Sequence, residues 1–377
     1  MGKTNLLDAI HYLSFCKSHI NTPDNQIIRT EEEMCVIQGT YDYEGRDETI
    51  FCALRRRQRK QFRRNKKEYD KLSEHIGLLP LVMVSPADSD LIRGGSDERR
   101  RFLDLIISQQ DKLYLHSLIQ YNKALLQRNT LLKEQCTDAS LYDVLEMQLG
   151  MYGQMVYEKR RALVEEFTPL FNAYYQTICR STEEVGLHYI STLETGDLPE
   201  TLRANRERER ILGYTSSGVH KDELEMTLGG ALIRRIGSQG QNKTYLIALK
   251  LAQFMFLARK GQTTPILLLD DIFDKLDAVR VEEIIKLVSS RDFGQIFITD
   301  TNRKYLDAIL AAMDHAYALF RVEQGEVYPL EDSEGTVYPA RMDEDEAQTL
   351  EESAEKAMGP AAGASSDEVE TSGRDRS

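Results

Sequence analysis

Residues 266–271 read Ile-Leu-Leu-Leu-Asp-Asp, a short aliphatic run that ends in two adjacent carboxylates. The four aliphatic residues predict a buried strand, and both acids fall where that strand stops. This is the form of a Walker B segment. Its first acid, here Asp270, would hold the Mg²⁺ shell, and its second, Asp271, would orient or deprotonate an attacking water. A buried strand with an acidic turn is the alternative reading of the segment taken alone.

The residues around this run predict the fold class. A helical pattern covers 281–289 and a second apolar strand follows at 295–299, so the order strand–helix–strand indicates a parallel sheet covered by helices. A long helical pattern at 241–259 and a strand-like run at 223–228 precede the Walker B segment. Leu276-Asp277, a few residues beyond the two acids, lies where ATPases of the ABC class carry a D-loop.

The segment Gly237-Ser238-Gln239-Gly240-Gln241 opens the long helix. The Ser238 hydroxyl and the Gly240 amide would be hydrogen-bond donors for an anion at the helix N-terminus. An N-cap, in which Ser238 only closes the helix and Gly240 relaxes the turn, is the alternative.

Gly2-Lys3-Thr4 precedes another helical pattern and matches the last three residues of the P-loop motif G-x-x-x-x-G-K-[ST]. In that motif the Lys reaches the β- and γ-phosphates and the hydroxyl residue ligates Mg²⁺. The first Gly of the motif and the strand that feeds it would lie upstream of Met1, and we expect either a late start or a true truncation.

The rest of the chain divides by pattern. A helix is expected at 5–13, short strands at 35–38 and 49–54, a buried strand at 78–85, and helices over most of 97–180, with Pro169 punctuating the last of them. We predict an α/β fold made of an ABC-ATPase-like lobe (1–90 and 201–328), a mainly helical insertion lobe (91–200) and a disordered acidic tail (329–377).

Charge is distributed unevenly over the 377 residues, whose formal net charge is −13. Residues 331–377 hold 14 acids and 4 bases, so the remainder is close to neutral. No apolar run approaches 18 residues, which excludes a membrane helix, and five scattered cysteines without C-x-x-C fit a cytoplasmic protein.

The densest positive cluster lies between residues 55 and 67, which a turn-rich hairpin would expose. Such a run can neutralise several nucleic-acid phosphates, although a solvated hairpin with alternating charges fits it equally well. If this run binds nucleic acid, the binding would be structure-selective, because no base-reading motif accompanies its nine side chains: Arg55, Arg56, Arg57, Arg59, Lys60, Arg63, Arg64, Lys66 and Lys67. Arg99–Arg101 are expected to form ion pairs instead, with Asp97, Glu98 and Asp104.

Taken together, the motifs resemble the RecF family of the ABC/SMC ATPase class over residues 1 to about 325. The similarity is carried by six segments, namely Gly2–Ser14, Ser85–Asp88, Glu98–Asp104, Gly218–Leu224, Gly237–Thr244 and Leu267–Asp277. His19-Ile20, where an Arg is usual, and Val219, where a Pro is common, depart from the family pattern.

The resemblance implies a head-to-tail homodimer closed by two ATP molecules. Thr4 and Asp270 would ligate Mg²⁺, and Asp271 would be catalytic in a weak, DNA-dependent ATPase. The implied nucleotide-binding residues of both protomers are Gly2, Lys3, Thr4, Asn5, Ser238, Gly240, Gln241 and Asp277.

The resemblance also implies a role in DNA replication, recombinational gap repair and SOS induction, through recombinase loading on single-stranded, gapped or junction DNA with RecO- and RecR-like mediators. Two alternatives stand beside it. One is an ABC/SMC-type repair ATPase of another kind; the other is a DNA-binding module whose ATP binding has been lost with the truncated P-loop. A transporter ATPase is disfavoured, because Thr299-Asp300-Thr301 occupies the place of its switch His.

Overall fold

A computed structural model describes residues 2–20, 23–274, 276–301, 309 and 316–332. The acidic tail expected from residue 329 lies outside the described residues beyond position 332. The α-helices are α1 (Lys3–Phe15), α2 (Asp24–Ile27), α3 (Ser89–Arg93), α4 (Ser96–Gln110), α5 (Lys112–Lys133), α6 (Ala139–Cys179), α7 (Leu198–Leu212), α8 (Ile233–Ile236), α9 (Gln239–Lys260) and α10 (Ala278–Val288).

The strands of the described residues form four separate sheets. They are β1 (Met34–Tyr43), β2 (Arg46–Arg55), β3 (Gln61–Arg64), β4 (Lys67–Glu68), β5 (Leu81–Val84), β6 (Val185–Ile190), β7 (Glu223–Leu228), β8 (Ala231–Leu232), β9 (Ile266–Asp270), β10 (Ile296–Thr299), β11 (Ala318–Glu323) and β12 (Glu326–Asp332).

The sheet that positions the site has the order β10-β9-β5, and both strand pairs are parallel, as the sequence predicts. Its central strand β9 is covered on both faces. Leu268 packs with Leu7 and Phe15 of α1, whereas Leu267 and Leu269 belong to the larger core that includes α9. Alternate residues of a strand point to opposite faces, so an unbroken aliphatic run is what a sheet between two helical layers requires.

The helical region consists of α4, α5 and α6, with α5 and α6 packed along each other. One expectation is wrong here: Pro169 does not interrupt α6, which runs for 41 residues. Pro169 is exposed, so the carbonyl that loses its helical N–H partner can hydrogen-bond to water. The hydroxyl of Thr168 also bonds back to the Val164 carbonyl at 2.7 Å.

Two compact units are distinguished by their internal contacts. Within the described residues, one unit comprises residues 2–20 together with those from 69 onward, and the other comprises residues 23–68. The second unit is an antiparallel meander of β1, β2, β3 and β4. The four-part division expected from the sequence stays a prediction. No helix of the described part is long and apolar enough to cross a membrane.

Candidate functional site

The Gly2-Lys3-Thr4 segment and the Walker B segment lie side by side. The Thr4 hydroxyl donates to Asp270 Oδ2 at 2.9 Å, although 266 residues separate the two positions. The Lys3 ammonium donates to the backbone carbonyl of Asp300 at 2.7 Å. Asp270 is 4% exposed and also accepts from the Thr299 hydroxyl at 2.5 Å. Residues from three elements therefore meet at the carboxyl ends of β9 and β10.

The backbone around Gly2 explains why α1 starts there. Gly2 has a φ of 122°, and a Cβ at this position would come within 3.2 Å of Gly325 Cα, so only glycine fits. No side chain caps the helix. The N–H groups of its first turn, which include those of Lys3, Thr4 and Asn5, are consequently available to an anion.

Asp271 sits in a left-handed conformation with a φ of 50°. Its N–H donates to the Thr299 carbonyl at 3.0 Å, which anchors the residue to the end of β10. Lys243 of α9 donates to the carbonyls of Asp271 and Asp274 at 3.4 and 2.6 Å. The loop after β9 is thus tied both to the parallel sheet and to α9, the helix that follows the segment Gly237–Gln241 (the signature segment).

The signature segment forms a capping box. The Ser238 Oγ accepts from the Gln241 N–H at 3.2 Å, and the Gln241 side chain accepts from the Ser238 N–H at 3.0 Å. The N-cap reading is therefore correct, and it does not exclude the anion reading, because the Ser238 hydroxyl keeps its own hydrogen as a donor. Gly240 lies against α10: a Cβ there would be 3.0 Å from Arg280 Nη1.

Asp277 likewise has a local role. It is the N-cap of α10, accepting from the Arg280 N–H at 3.0 Å, and its carboxylate lies 3.3 Å from Arg280 Nε. Its side chain is 57% exposed. Asp277 is therefore positioned by its own helix and also accessible to another molecule.

An open cleft of about 1100 Å³ adjoins the two acids. Aliphatic and polar side chains both line it. The polar ones include Ser85, Arg93, Gln239, Asn242, Lys243 and Asp271. The cleft thus connects the end of β5, the start of α9 and the Walker B acids within one protomer.

The oxygen ligands available at this site suit Mg²⁺ better than a metal ion whose ligands all come from protein side chains. Among the residues described here, no group of three or more His, Cys, Asp or Glu side chains is arranged to hold a metal ion. Mg²⁺ needs no such cage, because it retains waters and is commonly held by one or two protein oxygens together with substrate phosphates. The Thr4 hydroxyl and the Asp270 carboxylate, 2.9 Å apart, provide that pair.

The nine residues of the basic cluster do not all have the same role. Arg56 donates to the carbonyls of Asn25, Arg29 and Glu32 at 2.9 to 3.2 Å, and Arg64 pairs with Glu48 through two hydrogen bonds of 2.8 Å. Lys60 lies 3.0 Å from Asp24. These contacts hold the meander together.

The remaining six members of the cluster are either half-buried or exposed. Arg63 packs over the Phe51 ring and donates to Gln61, and Arg55 ends β2 half-buried. Four side chains are exposed, namely Arg57, Arg59, Lys66 and Lys67. Exposed Arg46, at the start of β2, was missed because it lies outside the basic run, although the meander brings the start of β2 to the same end of the sheet as the β3–β4 turn.

The Arg99–Arg101 run is structural, as expected. Arg100 pairs with Asp97, and Arg101 lies 3.1 Å from Glu98. Asp104 is not a partner of this run; it pairs with Arg160 of α6 at 2.8 Å.

The partner of Arg99 was also missed. Its guanidinium, 4% exposed, binds Glu223 through two hydrogen bonds of 2.6 and 2.8 Å. This contact joins α4 to the segment Gly218–Leu224. Two of the sequence motifs therefore pack together in the core instead of at the nucleotide site.

Curated proteins and solved structures agree on the relatives of this chain, while no protein-family model matches it. It is 82% identical over 332 residues to the DNA replication and repair protein RecF of Parabacteroides distasonis, an alignment that covers 88% of this chain and 91% of the relative. The RecF of Bacteroides fragilis is 58% identical over 336 residues, covering 89% and 91%.

A solved structure of the recombination mediator protein RecF with ATP superposes with a TM-score of 0.77 at 26% identity and covers 87% of this chain and 88% of that one. A second RecF structure, with ATPrS, gives a TM-score of 0.75 at the same identity and covers 87% and 89%. An Smc head bound to ScpA, at 15% identity and a TM-score of 0.50, shares the fold alone. The identity over nearly nine tenths of the sequence decides the assignment: this chain belongs to the RecF family of DNA replication and repair proteins.

Proposed function

We propose that this protein is an ATP-dependent DNA-binding protein that acts in DNA replication and in recombinational repair of gaps. The observation that carries the proposal is the hydrogen bond between Thr4 and Asp270, which joins the P-loop residues to the Walker B acid. The solved relative whose description includes ATP, and the replication and repair names of the curated relatives, support the same function.

Each residue of the site would have a distinct task. The amides of α1 and the Lys3 ammonium bind the phosphates, and Thr4 and Asp270 hold the metal. When bound by these residues, Mg²⁺ would neutralise part of the phosphate charge. Asp271, one residue beyond the metal ligand, orients the attacking water and accepts its proton.

A second protomer completes the site in this proposal. The γ-phosphate held by Lys3 of one copy would be contacted by Ser238, Gly240 and Gln241 of the other. The exposed Asp277 would contact the second copy across the same interface. Loss of the γ-phosphate removes the ligand shared by both protomers, so hydrolysis weakens the dimer. DNA is held by the basic cluster on the sheet of β1 to β4 (the basic sheet). ATP hydrolysis is weak and depends on DNA.

The biological setting belongs to the proposal too. The solved relatives are described within the RecFOR pathway, which supports RecO- and RecR-like partners. Recombinase loading and a link to SOS induction are part of the same proposal. The protein would act in the cytoplasm.

The experiment is nucleotide binding by the full chain with Asp270→Asn. We expect the unmodified chain to bind an ATP analogue in a Mg²⁺-dependent manner and to dimerise with it. The variant should lose the Mg²⁺ dependence, because a neutral amide is a poor ligand for a hard cation. Glu200→Gln, an exposed acid on α7, is the matched control. DNA binding that is indifferent to ATP in the unmodified chain would favour the DNA-binding module instead.

A further inference from the structure

Two buried charges meet behind the proposed nucleotide site. Lys250 Nζ of α9 lies 2.7 Å from Asp88 Oδ1, and each side chain is 9% exposed. A buried ion pair contributes little net stability, because desolvation offsets the attraction, but it can fix the relative position of two elements. Here it joins the residues that follow β5 to the middle of the helix that begins at the signature.

Asp88 is held from the β5 side. Its Oδ2 accepts from the Ser85 N–H at 2.7 Å, in a capping box that closes the short turn after the strand. Ser85 immediately follows Val84, whose partner across the sheet is Leu269, next to Asp270. The ion pair is therefore connected through backbone to the end of the Walker B strand.

His19 connects the same carboxylate to α1. Its Nε2 lies 3.2 Å from Ser85 Oγ and 3.8 Å from Asp88 Oδ1. Its backbone N–H and the Ser18 hydroxyl donate to the Asp8 carboxylate at 2.7 and 2.8 Å. Asp8 lies one turn after Thr4 on the same face of α1. A shift of α1 at Thr4 is thus transmitted to His19 and the ion pair.

Lys250 transmits the position of this cluster along α9. It lies 12 residues from Ser238 on one uninterrupted helix, a span of about 18 Å. Apolar packing surrounds both neighbours of Lys250 in α9, Leu249 and Leu251, which are fully buried, so the helix cannot turn about its axis without breaking core contacts.

We propose that the Asp88–Lys250 ion pair, with His19, is the positioning element that couples the nucleotide side of a protomer to its own signature. The inference rests on the proposed function. Neither Asp88 nor Lys250 contacts Lys3, Thr4, Asp270 or Asp271 through a hydrogen bond in the described structure, so they are positioning residues. Loss of the pair leaves nucleotide affinity intact and weakens ATP-dependent self-association.

The test is the double variant Asp88→Asn with Lys250→Met in the full chain. Asn keeps an acceptor for the Ser85 N–H, and Met keeps the length of Lys without its charge, so no unpaired charge stays buried. The control is Glu166→Gln with Lys260→Met. In that pair Lys260 of α9 lies 2.7 Å from Glu166 of α6, and both side chains are about half exposed.

Two quantities are measured, the affinity for an ATP analogue at protein concentrations where the chain is monomeric, and ATP-dependent dimerisation by sedimentation. We expect an affinity within about twofold of the unmodified chain and dimerisation weakened by about tenfold, in the usual range of coupling between sites. The control pair should change neither. Lys250→Arg, which keeps the charge, should dimerise as the unmodified chain does. If the double variant does not fold, His19→Ala is measured in the same way and should also weaken dimerisation, because it removes the contact between α1 and Ser85.

Unchanged dimerisation in the double variant would overturn the inference. A nucleotide affinity that falls by the same factor as dimerisation would overturn it too, because the ion pair would then only stabilise the nucleotide pocket. An unmodified chain that fails to bind ATP would overturn the proposed function itself. The two failures are therefore distinguishable from the unmodified chain alone.

Discussion

The Asp271 N–H donates to the Thr299 carbonyl at 3.0 Å, which holds Asp271 in a left-handed conformation with a φ of 50°. Asn tolerates that conformation as well as Asp does, so Asp271→Asn removes a charge without adding backbone strain. We predict that hydrolysis falls by about 100-fold or more, because the base is lost.

The same variant should keep nucleotide affinity and form dimers that persist on DNA after ATP is added. Single-turnover hydrolysis and dimer lifetime measure the two effects. Asp274→Asn, an exposed acid three residues along, is the control. A dimer lifetime equal to that of the unmodified chain would contradict the role of Asp271.

DNA affinity should depend on Lys66 and Lys67, which are exposed at one end of the basic sheet. With both changed to Gln, the slope of log affinity against log salt should decrease by about two, since each lost phosphate contact removes about one released counterion. Lys123→Gln with Lys133→Gln, two exposed lysines of α5, is the control. If the two double variants show equal slopes, DNA binds elsewhere.

Arg56 should behave differently from those lysines, although it lies in the same basic run. Its guanidinium satisfies backbone carbonyls of the segment before β1. Arg56→Gln should therefore increase hydrogen exchange in residues 23–33 and leave the salt slope almost unchanged. A slope that falls by about one would instead identify Arg56 as a DNA contact.

Acid should destabilise the fold through His220. Burial lowers the pKa of His220 to about 4. The neutral ring fits its partners, since one nitrogen can donate to the Thr215 carbonyl at 3.0 Å while the other accepts from Tyr121 Oη at 2.8 Å. Because the unfolded chain binds the proton more readily, this stability is complete above about pH 6.5 and is lost as pH falls toward 4.

Between about pH 7.5 and about pH 5 the loss should amount to about 2 kcal/mol for His220. Urea unfolding of the unmodified protein and of His220→Gln, each at about pH 7.5 and about pH 5, measures it. The variant should be less sensitive to pH, while a change at the exposed His116 should not alter the dependence. Equal sensitivity in the variant would assign the acid effect to other groups.

Among the residues of the helical region, Arg128 should contribute most to the free energy of unfolding, because its side chain is completely buried beside two carboxylates. Its guanidinium lies 3.0 Å from Glu146 and 2.6 Å from Glu209, both 1% exposed or less. Arg128→Met leaves two buried acids short of a partner and should reduce the free energy of unfolding by about 3–5 kcal/mol. Adding Glu146→Gln and Glu209→Gln should restore part of it. Thermal and urea unfolding of both variants test this, with Arg161→Met on the exposed face of α6 as the control.

The elements of the fold were largely predictable from local pattern. The strand at β9, the helices α1, α9 and α10 and the parallel order of β9 and β10 follow from apolar spacing, because both faces of that sheet are covered. The meeting of Thr4 with Asp270 was expected from the family resemblance, since each motif alone is short.

The contacts between buried polar groups were not predictable in the same way. The Asp88–Lys250 pair and the Arg99–Glu223 pair join positions more than 100 residues apart, and helical periodicity does not indicate which partner a buried charge finds. Pro169 misled for a related reason: whether a proline ends a helix depends on exposure and on packing along its length. The hairpin of β11 and β12 was missed altogether.

The separation of the site residues along the chain has a consequence for synthesis. Lys3 meets the Asp300 carbonyl across 297 residues, and Thr4 meets Asp270 across 266. A polypeptide growing on a ribosome therefore carries Lys3 and Thr4 through most of translation before their partners at the ends of β9 and β10 emerge. If the proposed function holds, a nascent chain would lack the Asp270 ligand and the Asp300 carbonyl until β10 has left the exit tunnel, so prematurely terminated chains should not bind nucleotide in a metal-dependent manner.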